Sequence, residues 1–135
     1  MGTLLNRRRY MGGGGNDLPE GYLKNKAYRN TNSVTIIDAE GYCATPYIPI
    51  SPATRNLTIN VGWTGTAYNA ILLYKAGDVY YDYFRTGTTM PRTISLSQAT
   101  VGMRLTFNIT NLEQCYVYDN TNGKYLVYQG KVVTT

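Results

Sequence analysis

The chain has 135 residues and a net charge of +5, with 43% hydrophobic and only 16% charged residues, and it contains 14 tyrosines and 14 glycines. This length predicts one domain with a modest core of its own. The sequence has no histidine, which excludes Ser-His-Asp and Cys-His catalysis and the usual zinc sites. It also has no apolar run of about 18 residues, so we expect no membrane-spanning helix.

Basic residues concentrate near the start of the chain. Residues 1–33 carry six basic and two acidic side chains, whereas residues 34–135 carry seven basic and six acidic ones. We therefore predict a basic, glycine-rich docking arm over residues 1–32 and a nearly neutral domain over residues 33–135.

The arm shows no sustained hydrophobic period, and its four consecutive glycines at 12–15 predict a segment that is mobile in the free monomer. Its basic run has two open interpretations. It is a solvated charged segment, or it docks by pairing its guanidinium groups with carboxylates or phosphate on a larger assembly. Three arginines alone support nucleic-acid binding only weakly, because the body has neither a basic stripe nor a recognisable nucleic-acid module. The candidate docking residues are Leu4, Leu5, Arg7, Arg8, Arg9, Tyr10 and Met11.

The first half of the body reads as short strands. We predict a strand at 33–38 closed by a turn at 39–41, and then extended chain at 42–50, whose prolines mark an edge or a crossover. Three neighbouring central strands follow. They are predicted at 57–61, where apolar and polar residues alternate, at 70–74 and at 79–84.

The second half continues this pattern. We predict strands at 92–97, 103–110, 112–119 and 123–133, with Gly130 as a bulge in the last one. The Asn122-Gly123 pair predicts a tight hairpin turn. Eight or nine strands at spacings of about ten residues predict an all-β fold. We expect an antiparallel β-sandwich, jelly-roll-like rather than a closed barrel, with an extended N-terminal arm.

Groups that could carry catalysis are few. Asp78 and Asp82 are the only close carboxylate pair on one predicted strand, and glycoside hydrolysis needs such a pair. Asp78 follows Gly77, however, where aspartate is expected in a turn. We therefore predict that the protein is not an enzyme and uses neither a metal nor a cofactor. Cys43 and Cys115 are predicted to be buried and reduced, with a single disulfide as the alternative.

Aromatic residues are the remaining candidates for binding. Trp63 lies in a loop rich in glycine and threonine, and Tyr80, Tyr116 and Tyr118 fall on predicted strands. Exposed aromatic faces stack on sugar rings, or they are buried in a subunit or partner interface. In a third interpretation, Trp63 caps the end of the core and the tyrosines line it. All three interpretations remain open here.

Two stretches carry a resemblance to a known group of proteins. Residues 1–13, MGTLLNRRRYMGG, resemble the start of small virion or tail-associated proteins encoded by phages and prophages of Bacteroidetes. Residues 42–50, YCATPYIPI, together with the predicted strand at 57–61 and the strand pair over 72–81, are similar to jelly-roll modules of such proteins. The resemblance implies a virion structural protein, of the capsid-decoration or head-fibre type or from the tail.

The implied partners are other virion proteins of the capsid or tail, and further copies of this chain in a homo-oligomer. The implied location is the virion, after synthesis in the host cytoplasm. The aromatic residues favour a second hypothesis, a carbohydrate-binding adhesin module that recognises host surface glycans. No membrane is needed for either function.

Overall fold

A computed structural model describes residues 18–134. The candidate docking residues and the mobility predicted for residues 12–15 lie outside this range. In the described part of the chain, no helix has the length and the apolar character needed to cross a membrane. A short 3-10 helix spans Leu112–Gln114. The strands are β1 Leu23–Arg29, β2 Ile36–Ala44, β3 Ile48–Pro49, β4 Asn56–Asn60, β5 Tyr68–Asn69, β6 Ile71–Lys75, β7 Val79–Phe84, β8 Arg92–Ser95, β9 Gly102–Asn108, β10 Tyr116–Asp119, β11 Lys124–Tyr128 and β12 Lys131–Val132.

The strands pair antiparallel in two sheets. The first sheet has the order β5-β1-β2-β9-β6-β7, with β3 also paired to β9, and the second has the order β12-β11-β10-β4-β8. The chain crosses from one sheet to the other after β3, β4, β7, β8 and β9. The predicted all-β antiparallel sandwich is therefore confirmed.

The main core lies between the two sheets. Leu57 and Ile59 of β4 point inward from the second sheet, and Met103, Leu105 and Phe107 of β9 point inward from the first. All five side chains are fully buried. Burying one such side chain contributes about 1.5–3 kcal/mol, so the alternating patterns of β4 and β9 hold the sheets together.

A second, smaller apolar cluster covers the outer face of the first sheet. It consists of Tyr28, Ala44, Leu72 and Tyr74, with other tyrosines packed around it. Strand β6 therefore buries side chains on both faces, which explains why its sequence is continuously apolar. The Tyr28 hydroxyl donates to the carbonyl of Thr45 at 2.7 Å and joins β1 to the chain after β2.

The predicted boundary at residue 32 is wrong. Residues 23–29 form β1, which pairs with both β2 and β5, and Tyr28 is only 1% exposed. The strand was missed because its register shifts between Lys24 and Lys26, where Asn25 has a φ of +58°. This irregularity breaks the alternation that identifies a strand.

The turn predicted at 39–41 is also wrong, because β2 runs through it. Gly41 has a φ of +89°, which glycine adopts without steric cost. Its N–H donates to Oδ1 of Asn25 at 3.0 Å. Asn25 in β1 and Gly41 in β2 thus form irregularities that face each other, and both strands continue past them.

Two predictions of strand arrangement need correction. Of the three strands predicted as neighbours, those at 70–74 and 79–84 do pair, as β6 and β7. The strand at 57–61 is not their neighbour, since β4 lies in the second sheet between β10 and β8. The last strand is not continuous. Gln129 and Gly130 have φ values of +50° and +79°, and they form a two-residue turn between β11 and β12, so Gly130 is a turn residue rather than a bulge.

The hairpin that precedes β11 was predicted from the sequence. Strands β10 and β11 pair antiparallel around residues 120–123, and Gly123 has a φ of +68°, so the predicted hairpin is confirmed. The predicted strand at 112–119 begins only at Tyr116, because a 3-10 turn precedes it. Cys43 and Cys115 are free thiols buried in the main core, so their predicted burial is confirmed.

Candidate functional site

Trp63 is part of the core and offers no platform to a ligand. It is 8% exposed, and its indole Nε1 donates to the carbonyl of Thr106 at 3.0 Å. The rings of Tyr42 and Tyr68 pack edge-on against it, at centroid distances of 5.7 and 5.8 Å. The role of Trp63 as a sugar platform is therefore wrong, and its role as a cap on the core is correct.

Tyr80 belongs to the first sheet, on the side away from the main core. It packs against Tyr74, and its hydroxyl donates to Oδ1 of Asn32 at 2.9 Å. Burial raises the pKa of Tyr80 to about 12. The structure therefore separates Tyr80 from Tyr116 and Tyr118, which lie on the second sheet.

A cluster of four tyrosines covers part of the outer face of the second sheet. We call it the tyrosine face and define it as Tyr116, Tyr118, Tyr125 and Tyr128. Tyr125 is its centre, with ring centroids 5.8 Å from Tyr116, 4.8 Å from Tyr118 and 4.8 Å from Tyr128. Tyr125 and Tyr128 are 40% and 50% exposed. The rings meet at steep angles, so their edges and faces form notches rather than one flat surface.

The hydroxyls of the tyrosine face are free to bind a partner. Among residues 18–134, none of the four has a hydrogen-bond partner. On the first sheet, by contrast, the hydroxyls of Tyr28, Tyr47 and Tyr80 all donate to protein acceptors. A tyrosine hydroxyl is both donor and acceptor, so the two sets differ in what they can still bind.

Polar side chains border the tyrosine face on the side of β4. Thr58 pairs directly with Tyr118 across the strands. Its hydroxyl shares a hydrogen bond of 2.9 Å with Thr93 and accepts one of 2.9 Å from Nδ2 of Asn120. These contacts hold the hydroxyl and amide groups in fixed positions beside the rings.

Two shallow depressions meet at Tyr125. The first has a volume of about 220 Å³, and its lining residues are Thr58, Tyr116, Tyr118, Asn120 and Tyr125. The second has a volume of about 460 Å³, and its lining residues are Lys124, Tyr125, Leu126, Tyr128 and Val133. The two depressions share Tyr125 as a lining residue, and we call the surface that they cover on β10 and β11 the track.

The exposed charge on this sheet is positive. Asp119 is the only acidic residue in its five strands, and it is fully buried. Burial alone would raise the pKa of Asp119, but hydrogen bonds from Asn122, Thr54 and Thr121 outweigh burial and hold that pKa below its ordinary value. Lys124 and Lys131, on β11 and β12, are exposed.

The carboxylate pair considered for catalysis is held by structural contacts. Asp78 has a φ of +59° in the turn before β7 and accepts a hydrogen bond from the Tyr47 hydroxyl. Asp82 accepts from the N–H of Tyr83 at 2.8 Å. Among the residues described, no group of three histidine, cysteine, aspartate or glutamate side chains is arranged to hold a metal ion.

Tyr125 and Tyr128 were not among the predicted site residues. They are three positions apart, which places side chains on opposite faces of a regular strand. The register shifts at Leu126, because Tyr118 pairs with Tyr125 while Val117 pairs with Val127. This bulge brings both tyrosines to the same face, and no local sequence signal reveals it.

The comparisons with known proteins give no further guide. No family model matches the chain, and the searches against curated proteins and solved structures give no match.

Proposed function

We propose that this chain is a non-enzymatic structural protein of a phage virion, of the capsid-decoration or head-fibre type. It docks on other virion proteins through residues 4–11 and displays the sandwich on the particle. The resemblance of residues 1–13 and 42–50 to virion proteins supports the proposal. Many copies on a symmetric particle would strengthen weak individual contacts by multivalency.

The observation that carries the proposal is that the start of the described chain and the 120–123 hairpin lie at opposite ends of the sandwich. The described chain starts at the end where Tyr22 donates its hydroxyl to the carbonyl of Gly130 at 2.7 Å, and Pro19 lies there beside Gln129. The 120–123 hairpin lies at the other end of β10 and β11. At about 3.3 Å per residue, four-residue β10 separates these ends by about 13 Å. We therefore place the attachment at the Pro19 end and the exposed surface at the hairpin end.

Limited trypsin digestion tests this docking. We expect cleavage after Arg7, Arg8 or Arg9 in the free protein and protection of these bonds in purified particles. Lys26 is a matched internal control, because it lies in paired β1 and should resist cleavage in both samples. Equal cleavage of the arm in both samples, or absence of the chain from the particles, would contradict the proposal.

A second candidate function is carbohydrate binding, as a module that recognises host surface glycans. The free hydroxyls of the tyrosine face favour it, because sugars present both apolar C–H faces and hydroxyl groups. The candidate glycan site consists of the predicted Tyr116 and Tyr118 together with Tyr125 and Tyr128. It does not include the predicted Trp63 and Tyr80. The two functions are compatible, since a displayed sandwich can also adhere to a host.

A further inference from the structure

We propose that the track across Tyr125 binds an acidic polysaccharide, with sugar rings against the tyrosine face and a carboxylate at Lys124. The inference rests on the second candidate function and names its ligand class. We infer a chain of several sugar units, because two depressions are bordered by the same Tyr125 ring. A site for a single sugar would need only one of them.

The surface of the track fits a carbohydrate. The rings of Tyr118 and Tyr125 meet at 69° with their centroids 4.8 Å apart, which leaves a notch with an aromatic face on one side and an aromatic edge on the other. Beside these rings, the Asn120 amide donates a hydrogen bond to the Thr58 hydroxyl, which holds both groups at fixed positions. Alternating apolar and hydrogen-bonding surface of this kind matches the alternating C–H faces and hydroxyls of a pyranose.

The charges favour an acidic ligand. Lys124 borders the larger depression together with Tyr125 and Tyr128. The only carboxylate of the sheet, Asp119, is buried and accepts hydrogen bonds from its own hairpin, so no exposed acid of these strands repels an anion. Electrostatic complementarity of this kind selects between partners of similar shape.

The same charges disfavour a second copy of the chain as the occupant. A two-fold interface brings the same patch of both copies together. It would place the exposed Lys124 and Lys131 of one copy against the tyrosine face and lysines of the other, without an exposed carboxylate on these strands to pair with them. Like charges in such an interface lower affinity.

Isothermal titration of the full chain with oligogalacturonate tests the proposal. The matched neutral probe is the same oligosaccharide after its carboxyl groups are reduced to alcohols. We expect at least tenfold tighter binding of the acidic form, and loss of most of that difference in Lys124→Gln. Lys75→Gln is the charge control, because Lys75 ends β6 on the first sheet, and it should leave both affinities unchanged.

Two ring variants complete the test. Tyr125→Ala should abolish binding of both probes, whereas Tyr125→Phe keeps the ring and should retain binding within a few fold, which guards against misfolding of the alanine variant. Equal affinity for the acidic and reduced probes would overturn the acidic preference and leave carbohydrate binding standing. No binding of either probe would overturn this inference together with the second candidate function, while the virion role is tested independently by the digestion. Equal losses in Lys124→Gln and Lys75→Gln would also overturn the inference, because they would indicate unspecific attraction.

Discussion

Tyr28, Tyr47 and Tyr80 form one set of tyrosines and the tyrosine face forms a second, and the two sets differ in whether their hydroxyls are hydrogen-bonded within the fold. On the first sheet, the hydroxyls of Tyr28, Tyr47 and Tyr80 are used by the fold, and Tyr28 is almost fully buried. On the second sheet, four neighbouring tyrosines have none of their hydroxyls bonded within the described chain. Because a net intramolecular hydrogen bond contributes about 1 kcal/mol to stability, the first set stabilises the sandwich, and the second remains available to a partner.

Glycine at position 130 is required by both its backbone and its surroundings. A Cβ there would lie 2.5 Å from Cγ of Leu112, and φ is +79°. We expect Gly130→Ala to lower the free energy of unfolding by about 2–4 kcal/mol, because it adds steric overlap to an unfavourable backbone conformation. Gly41→Ala is the matched control. It has a similar φ and no atom within 4 Å, so it should cost only about 1 kcal/mol. Urea unfolding measures both, and equal losses would contradict this account.

Asp119 should make stability depend on pH. Its folded pKa is below its ordinary value because hydrogen bonds from Asn122, Thr54 and Thr121 outweigh burial. An unfolded aspartate titrates near pH 4, so the contribution of Asp119 is complete above about pH 4 and is lost as the pH falls through the lower folded value.

We therefore expect urea midpoints to fall below about pH 4, and to fall less steeply in Asp119→Asn. Asp38→Asn is the control, because Asp38 is highly exposed and pairs with Lys26 at the surface, where an ion pair contributes little. A profile for Asp119→Asn as steep as that of the native chain would be evidence against a structural role for this carboxylate.

At the scale of elements, the sequence predicts strands wherever one face is buried and the register is regular. Strands β4 and β9 alternate clearly, and the 120–123 hairpin has its expected Asn-Gly turn. The sequence fails where a bulge interrupts the period, as at Asn25 in β1 and at Leu126 in β11. Sheet membership was also missed for β4, because alternation reports that a strand has a buried face but not which strands it pairs with. Tyr125 and Tyr128 of the tyrosine face were missed because of the bulge at Leu126.

Strand β1 gives the sharpest test at this scale. Deleting residues 1–32 removes β1, uncovers β2 and β5 and takes Tyr28 from the smaller cluster, so we expect the shortened chain to lose cooperative unfolding. Deleting residues 1–17 is the control. It keeps all twelve strands of the described residues and should keep a cooperative transition in circular dichroism. A folded chain that begins at residue 33 would restore the boundary that the sequence predicted.

For the molecule as a whole, one core between two sheets predicts a single cooperative unit. Cys43 lies in the first sheet and Cys115 precedes β10 of the second, and both are fully buried in that core. Burial raises the pKa of each thiol to about 12, so almost no reactive thiolate forms near neutral pH.

We expect both thiols to resist an aromatic disulfide reagent at pH 8 in the native protein and to react together, two per chain, in urea. Reaction of one thiol well before the other would indicate that part of the sandwich opens separately. Fewer than two reactive thiols in urea without reductant would show that a disulfide had formed.

The central proposal is that the sandwich is attached to a virion at one end and exposed at the other. Cryo-electron microscopy of purified phage particles that contain this chain tests it most directly. We predict density for the sandwich with the Pro19 end toward the particle surface, and with the 120–123 hairpin and the tyrosine face open to solvent. A sandwich seated on the particle by its tyrosine face, or particles that lack this density, would contradict the account.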